Sequence, residues 1–314
     1  MPPKTGFIGR SLAKGGLIPF LGAGASAFAL DSLNHLPLGA DLARKLADIG
    51  EFPNDADNAR ADLARVASYV SAKIGRDWVV EFLSEELQKG HQPNPLHHVL
   101  AEVAARAPML IITTNYDDMM ERALLAAQVE FDVVVAAVER KAYAGALLHR
   151  PWGAAAFDED VDPNALALPA DPLKPTELTR TVLFKMHGSV LPEAKGSFVV
   201  TEEDYVAYLR GGLDGGRLIP PAMHLLMRPR RFLFLGYGLR DWNLRVLLAS
   251  LFGAPGQAQD HGSDRSSFAI SRNMDSDERE IWQHRRVSVQ LRDFGAFVPD
   301  LRADLQEIWQ PATS

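Results

Sequence analysis

The chain has 314 residues, 47% of them hydrophobic and 23% charged, with a net charge of -7, a pI near 5.7 and no cysteine. A chain of this length can bury a sufficient core as one large domain or as one domain carrying an insert, and its composition excludes disorder, collagen-like repeats and a coiled coil. The acidic balance gives no overall basic footprint for nucleic acid, and the absence of cysteine excludes disulfides and thiolate zinc sites.

In chain order, the N-terminal stretch from Met1 to Gly16 lacks the apolar run of a secretory signal, and no uncharged run approaches membrane-spanning length. A soluble, cytoplasmic protein with no membrane contact and no direct nucleic-acid binding is expected. The first apolar run, Leu17 to Leu21, leads into Gly22-Ala23-Gly24-Ala25-Ser26, a strand entering a small-residue turn. Gly22 and Gly24 would let backbone amides approach a pyrophosphate at a helix start, although many such turns bind no nucleotide. A long helical stretch follows, periodic near Gly39–Ile49, Ala59–Ile74, Asp77–Gln88 and Leu96–Ala105. That is too much chain for one crossover, so residues 39–106 are read as an inserted helical subdomain.

The second run, Met109 to Thr113, ends in Thr114-Asn115-Tyr116-Asp117-Asp118 and is followed by helical periodicity over Asp117–Ala127. Asn115 or Asp117 could cap that helix, yet the cluster carries more polar chemistry than a cap requires, at the sheet edge where parallel strands present ligand-binding side chains. Phe131 to Val135 is a third strand. Ala144 to Thr181 is crowded with Pro, Asp and Ala without a period, and residues 144–181 read as a surface loop or lid. The fourth strand, Val182 to Met186, ends in His187-Gly188-Ser189. A lone histidine is usually structural, but His187 closes a buried strand and can titrate near neutrality as a general base. His97 and His98 sit at a helix start and read as structural.

Arg228, Arg230 and Arg231 form a basic cluster that could touch phosphate or nucleic acid but reads better as a solvated helix end. The fifth run, Phe232 to Leu235, ends in Gly236-Tyr237-Gly238, either an ordinary turn or a place where ribose or adenosine meets backbone. Strands Phe268–Ile270 and Val287–Leu291 and helices Asp241–Phe252, Asp277–Arg285 and Ala296–Trp309 complete the chain. The chain shows no internal repeat and no low-complexity tract, and no extra domain is expected after the last strand. Runs that are apolar at consecutive positions suit strands buried on both faces, and their alternation with helices predicts an α/β fold: a Rossmann-like doubly wound parallel sheet with an inserted small helical subdomain. The sheet domain would comprise residues 1–38 and 107–314.

Taken in order, Gly22-Ala23-Gly24-Ala25-Ser26, Thr114-Asn115-Tyr116-Asp117, His187-Gly188-Ser189 and Gly236-Tyr237-Gly238 resemble the sirtuin-like NAD-binding family, over roughly Leu17 to Leu291. The resemblance implies that Gly22, Ala23, Gly24, Ala25 and Ser26 cradle the NAD pyrophosphate and that Asn115 and Asp117 meet nicotinamide and its ribose. It makes His187 the catalytic base, and has Ser189, Gly236, Tyr237 and Gly238 line the ribose and adenosine side, with Thr114 beside them. Protein-deacylating sirtuins carry a four-cysteine zinc module, which this chain cannot build, and a Gly-Ile-Pro-x-Phe-Arg stretch where this chain has Leu36-Pro37-Leu38-Gly39-Ala40-Asp41.

With Thr114-Asn115-Tyr116-Asp117, a strand end of Met186-His187-Gly188-Ser189 and Gly236-Tyr237-Gly238, the chain resembles the bacterial sirtuin-like NADases of anti-phage defence. That resemblance implies NAD as substrate, no metal, control by self-assembly as a homo-oligomer or by a HerA-type hexameric ATPase partner, and less readily an Argonaute-linked arrangement. The rivals are an NAD-dependent protein deacylase, which would consume NAD only in the presence of acylated peptide, and a non-catalytic NAD or ADP-ribose sensing module.

Overall fold

The computed structural model describes residues 5–28, 36–53, 57–136, 146–194, 197–213, 219–237, 266–272 and 274–310. Its elements, in order, are α1 (Thr5–Ala13), β1 (Leu17–Leu21), α2 (Ala23–Ser26), α3 (Gly39–Ile49), α4 (Asp57–Arg60), α5 (Leu63–Lys73), α6 (Arg76–Gln88) and α7 (Pro95–Ala104). Next come β2 (Leu110–Thr113), α8 (Met119–Ala126), β3 (Phe131–Ala136), β4 (Leu147–Arg150), β5 (Asp158–Val161), β6 (Ala170–Asp171), β7 (Lys174–Leu178) and β8 (Thr181–Lys185). The chain continues with α9 (Glu202–Leu213), α10 (Pro221–Met227), β9 (Arg231–Leu235), β10 (Ser267–Ser271), α11 (Ser276–His284), β11 (Val287–Leu291) and α12 (Phe294–Trp309). The helix expected over Asp241–Phe252 lies outside the described residues.

Among the described residues, nine strands form one sheet in the order β11-β10-β9-β1-β2-β8-β3-β4-β5, parallel from β11 through β3. The chain enters at β1, builds outward on one side, then returns to place β9 on the other side of β1. This reversal makes the β1–β9 junction a topological switch point, where a crevice opens at the carboxyl ends of the strands.

The consecutive apolar positions divide between the two faces, as the pleat requires. Leu17, Leu21, Ile111, Leu183 and Leu233 face a core shared with α1, α7, α8 and α12, whereas Ile18, Phe20, Ile112, Phe184 and Phe234 face α10 and α11. A third core joins α3, α5 and α6 through Leu42, Leu46, Val66, Val70, Val79 and Leu83, and it takes in Met119, Val190, Phe198 and Val200 from the sheet side. This helical layer is therefore seated over the exits of β2 and β8. Arg76 secures it by donating to the Phe198 carbonyl at 2.9 Å and by pairing with Asp204 at 3.1 Å. Helix α7 packs into the first core through Leu96, Val99, Leu100 and Val103, so the stretch expected to be helical to residue 106 divides between two cores.

Two expectations are corrected. The segment expected as a loop or lid over 144–181 carries β4 and β5, which extend the sheet antiparallel from β3, and the β6–β7 hairpin. Its outer strands are short and largely exposed, so they bury too little to generate an apolar period. Arg230 is not a solvated helix end: its guanidinium donates to the carbonyls of Gly15, Leu226 and Thr176 at 2.7 to 2.8 Å, joining α10, β7 and the turn before β1.

Candidate active site

The strand register brings four chain segments to one level. Leu21 lies opposite Leu235 on one side and Thr113 on the other, and Thr113 lies opposite Lys185. The residues following β9, β1, β2 and β8 therefore emerge side by side.

The two glycine turns meet first. The Gly22 amide donates to the Leu235 carbonyl and the Gly24 amide to the Gly236 carbonyl, each at 2.9 Å. A Cβ at Gly22 or Gly24 would lie 2.8 Å from the Gly236 carbonyl oxygen. Gly236 has φ +73°, and a Cβ there would strike the Ala25 amide nitrogen. All three glycines are thus required for backbone to meet backbone across the switch point. The Gly22 and Gly24 amides are engaged in this seam, which corrects the expectation that they face a pyrophosphate. Gly238 lies outside the described residues.

Beside the seam, Asn115 turns its side chain inward. Its amide nitrogen donates to the Gly22 carbonyl at 3.0 Å and to Ser26 Oγ at 2.9 Å, fastening the end of β2 to the first turn. Ser26 Oγ also lies 3.4 Å from His97 Nε2, and His97 Nδ1 accepts the Asn94 amide at 3.2 Å. Burial pushes His97 down to about 4, so its ring is neutral at ordinary pH. With Nδ1 accepting, the ring proton sits on Nε2 and points at Ser26. Receiving from both Asn115 and His97, the Ser26 hydroxyl has its own proton left to donate elsewhere. This link carries no sign in the sequence, because Ser26 is distant from His97 along the chain.

Asp117 accepts the Met119 amide through Oδ1 at 3.0 Å just ahead of α8, whose N-cap position is Asp118, so neither Asn115 nor Asp117 is the cap. Thr114 Oγ1 and Tyr237 OH lie 2.7 Å apart, joining the ends of β2 and β9.

His187 follows β8 into a turn at Gly188, whose φ of +96° and contact with the Ser197 carbonyl leave no room for a side chain. The His187 ring is flanked edge-on by Tyr205 and Tyr208 of α9, with centroids 5.5 and 5.6 Å away. Burial alone pushes it down to about 4. No ion pair to His187 is present among the described residues. Ser189 is fully buried, and its Oγ accepts the Leu191 amide at 3.3 Å. Below the strand ends, Lys185 is completely buried, donating to the Asp117 carbonyl and pairing with Glu121 at 2.7 Å.

The ends of β1, β2, β8 and β9 border one cavity of about 250 Å³. Its floor and polar wall are Ala23, Ser26, Thr114, Asn115, Asp117, His187, Gly236 and Tyr237; its roof is Leu36, Pro37, Gly39, Leu42, Leu63 and Leu87, with Tyr116 and Tyr205 at the side. Most residues singled out in the sequence are thereby brought together. Gly22, Gly24, Ala25 and Ser189 do not line it: the first three form the supporting seam, and Ser189, expected on the ribose side, is directed into its own loop. Tyr205 and the apolar roof went unrecognised, because their place depends on the helical layer folding back over the sheet. Among the described residues, no group of three or more His, Cys, Asp or Glu is clustered so as to hold a metal ion. No helix among them is long and apolar enough to cross a membrane.

A switch-point crevice carrying Asn, Asp and His on adjacent strand ends defines a ligand-binding α/β protein of the doubly wound class, and the SIR2-like domain family matches residues 109–290. The chain belongs to that family. Among individual proteins, it is similar to defense-associated sirtuin 2 of Bacillus subtilis, 26% identical over 243 residues that cover 77% of this chain and 20% of that protein. The chain therefore spans about a fifth of the length of that relative. Solved structures similar to it include a Sir2 enzyme, 15% identical with a TM-score of 0.45 over 97% of this chain and 98% of the other. A Sir2 homologue in complex with NAD is 14% identical, with a TM-score of 0.42 over 96% and 94%.

Proposed function

We propose that this chain is an NAD⁺ glycohydrolase that cleaves the nicotinamide–ribose bond to give nicotinamide and ADP-ribose, acting in anti-phage defence by depleting NAD. The observation that carries the reading is the convergence of Asn115, Asp117, Ser26 and His187 on one apolar-roofed cavity at the switch point. Its volume lies below the roughly 300–1,000 Å³ of pockets that enclose a drug-sized ligand, so it suits the reacting end of a dinucleotide. The partly apolar surroundings suit the nicotinamide ring, and Gly236 and Tyr237 would lie toward the remainder of the molecule.

In this reaction the C1′–N1 bond breaks with its electron pair moving into the pyridinium ring, so nicotinamide leaves neutral and positive charge develops on the ribose. Asp117, beside the cavity, favours that charge, and the Asn115 carboxamide oxygen and Ser26 hydroxyl orient ribose hydroxyls or the attacking water. Water then forms the new C1′–O bond and loses its proton to His187. Water attacking an oxocarbenium-like centre is strongly acidified, so a weak base suffices. Burial serves the same end: a neutral imidazole adds no positive charge beside a cationic substrate.

Control by homo-oligomerisation or by a HerA-type hexameric ATPase belongs to this proposal through the family resemblance. The test is chromatography of NAD incubated with purified protein, with and without an acylated peptide and with and without the product of the neighbouring gene. Nicotinamide and ADP-ribose released without peptide are the expected products. Consumption only with peptide would make the protein a deacylase, and tight binding without release under any condition would make it a sensing module.

A further inference from the structure

We propose that Lys185, paired with Glu121, is a positioning residue that fixes the Asn115–Asp117 loop against the strand end bearing His187. Lys185 is the last residue of β8, opposite Thr113 on β2 and Val135 on β3, and its side chain is completely buried. Its ammonium reaches across to the backbone carbonyl of Asp117 and to Glu121 Oε1 on α8. His187 lies two residues beyond Lys185, and Asp117 two residues beyond Asn115. A single side chain thus joins the backbone carrying the carboxylate to the strand carrying the imidazole.

The pair is poorly explained as a source of stability. Glu121 Oε2 is buried without a hydrogen-bond partner, and burial drives the Glu121 carboxyl upward against the opposing pull of Lys185. Replacing such a pair by apolar side chains of similar volume is often neutral or stabilising, whereas removing one partner leaves an uncompensated charge. What an apolar pair cannot do is hold the Asp117 carbonyl. Without that donor the loop is free to shift, and small displacements of groups that orient a substrate sharply reduce turnover.

The inference rests on the glycohydrolase reading, because its first readout is nicotinamide release. Wild type, Lys185→Met and the double variant Lys185→Met/Glu121→Leu are compared by thermal unfolding, calorimetric NAD binding and steady-state kinetics. The single variant is expected to lose stability. The double variant is expected to fold with an unfolding temperature at or above that of wild type, with NAD affinity and KM within about threefold and kcat reduced at least about tenfold. A folded double variant with the kcat of wild type overturns the inference, and so does one that fails to fold, since the pair would then be a stability element. A wild-type chain that releases no nicotinamide overturns the hydrolase reading instead. Crystal structures then decide the positioning role: Asp117 and His187 superposing unchanged between wild type and double variant would overturn it.

Discussion

Two buried histidines occupy the antiparallel and the parallel parts of the same sheet, and their surroundings differ in what is left unsatisfied. On the antiparallel extension, His149 of β4 lies 3.3 Å from Asp132, whose carboxylate also accepts the Trp152 amide at 2.9 Å and Arg180 at 3.0 Å. Burial opposes ionisation of Asp132, yet these hydrogen bonds outweigh it and hold the carboxyl below its ordinary value. At the carboxyl end of β8, His187 has aromatic edges around it, a cavity in front of it and a titration point governed by burial alone. A polar cluster that consumes its own hydrogen-bonding capacity is scaffolding, here fixing the antiparallel extension to the sheet. A cluster that retains capacity toward a cavity is equipped for a ligand.

The sharpest way to break this comparison is to exchange the expected consequences. Replacement of His187 or Asn115 by alanine should reduce nicotinamide release at least about 100-fold while the chain still unfolds cooperatively, as followed by chromatography and circular dichroism. Unchanged turnover in either variant would remove that residue from the chemistry. Asp132→Ala should do the reverse, lowering stability by about 1.5–3 kcal/mol in denaturant titrations while leaving kcat and KM of the folded fraction at wild-type values.

Finer tests address the neighbouring groups. His97→Ala should lower kcat about tenfold by freeing the Ser26 hydroxyl, with KM little changed, because an orienting contact is lost and not the reacting group itself. The pH dependence follows from the two buried histidines. His187 and His97 titrate at about 4 in the folded protein against an ordinary 6.5, so the unfolded chain binds more protons between those values. Stability is therefore fully present above about pH 6.5 and declines as the pH falls toward 4. On the proposed mechanism turnover needs neutral His187, and it should persist well below pH 6 among molecules still folded. A loss of kcat near pH 6.5 would show that the ring is more hydrated than its burial implies.

Much of this was legible in the sequence because the strands are covered on both faces. Leu17–Leu21, Val182–Lys185 and Phe232–Leu235 are apolar at almost every position, and a strand of that kind must end in something polar where it leaves the core. Asn115, Asp117 and His187 were visible for that reason. The antiparallel extension was not, since β5 and β7 lie largely in solvent and need no apolar pattern. Nor was the true task of Gly22, Gly24 and Gly236, because it depends on β9 returning to lie beside β1. Lys185 left a trace that went unread: one charge inside an otherwise apolar strand. His97 left none, as its partner is set by how α7 packs against the turn after β1.

The seam between the two glycine turns has a consequence for synthesis. Gly24 is made early and Gly236 late, so the base beneath Ser26 and Asn115 cannot close until the ribosome has passed β9. A nascent chain that has not yet reached β9 therefore lacks the finished base of the cavity, and a chain truncated before β9 cannot assemble it.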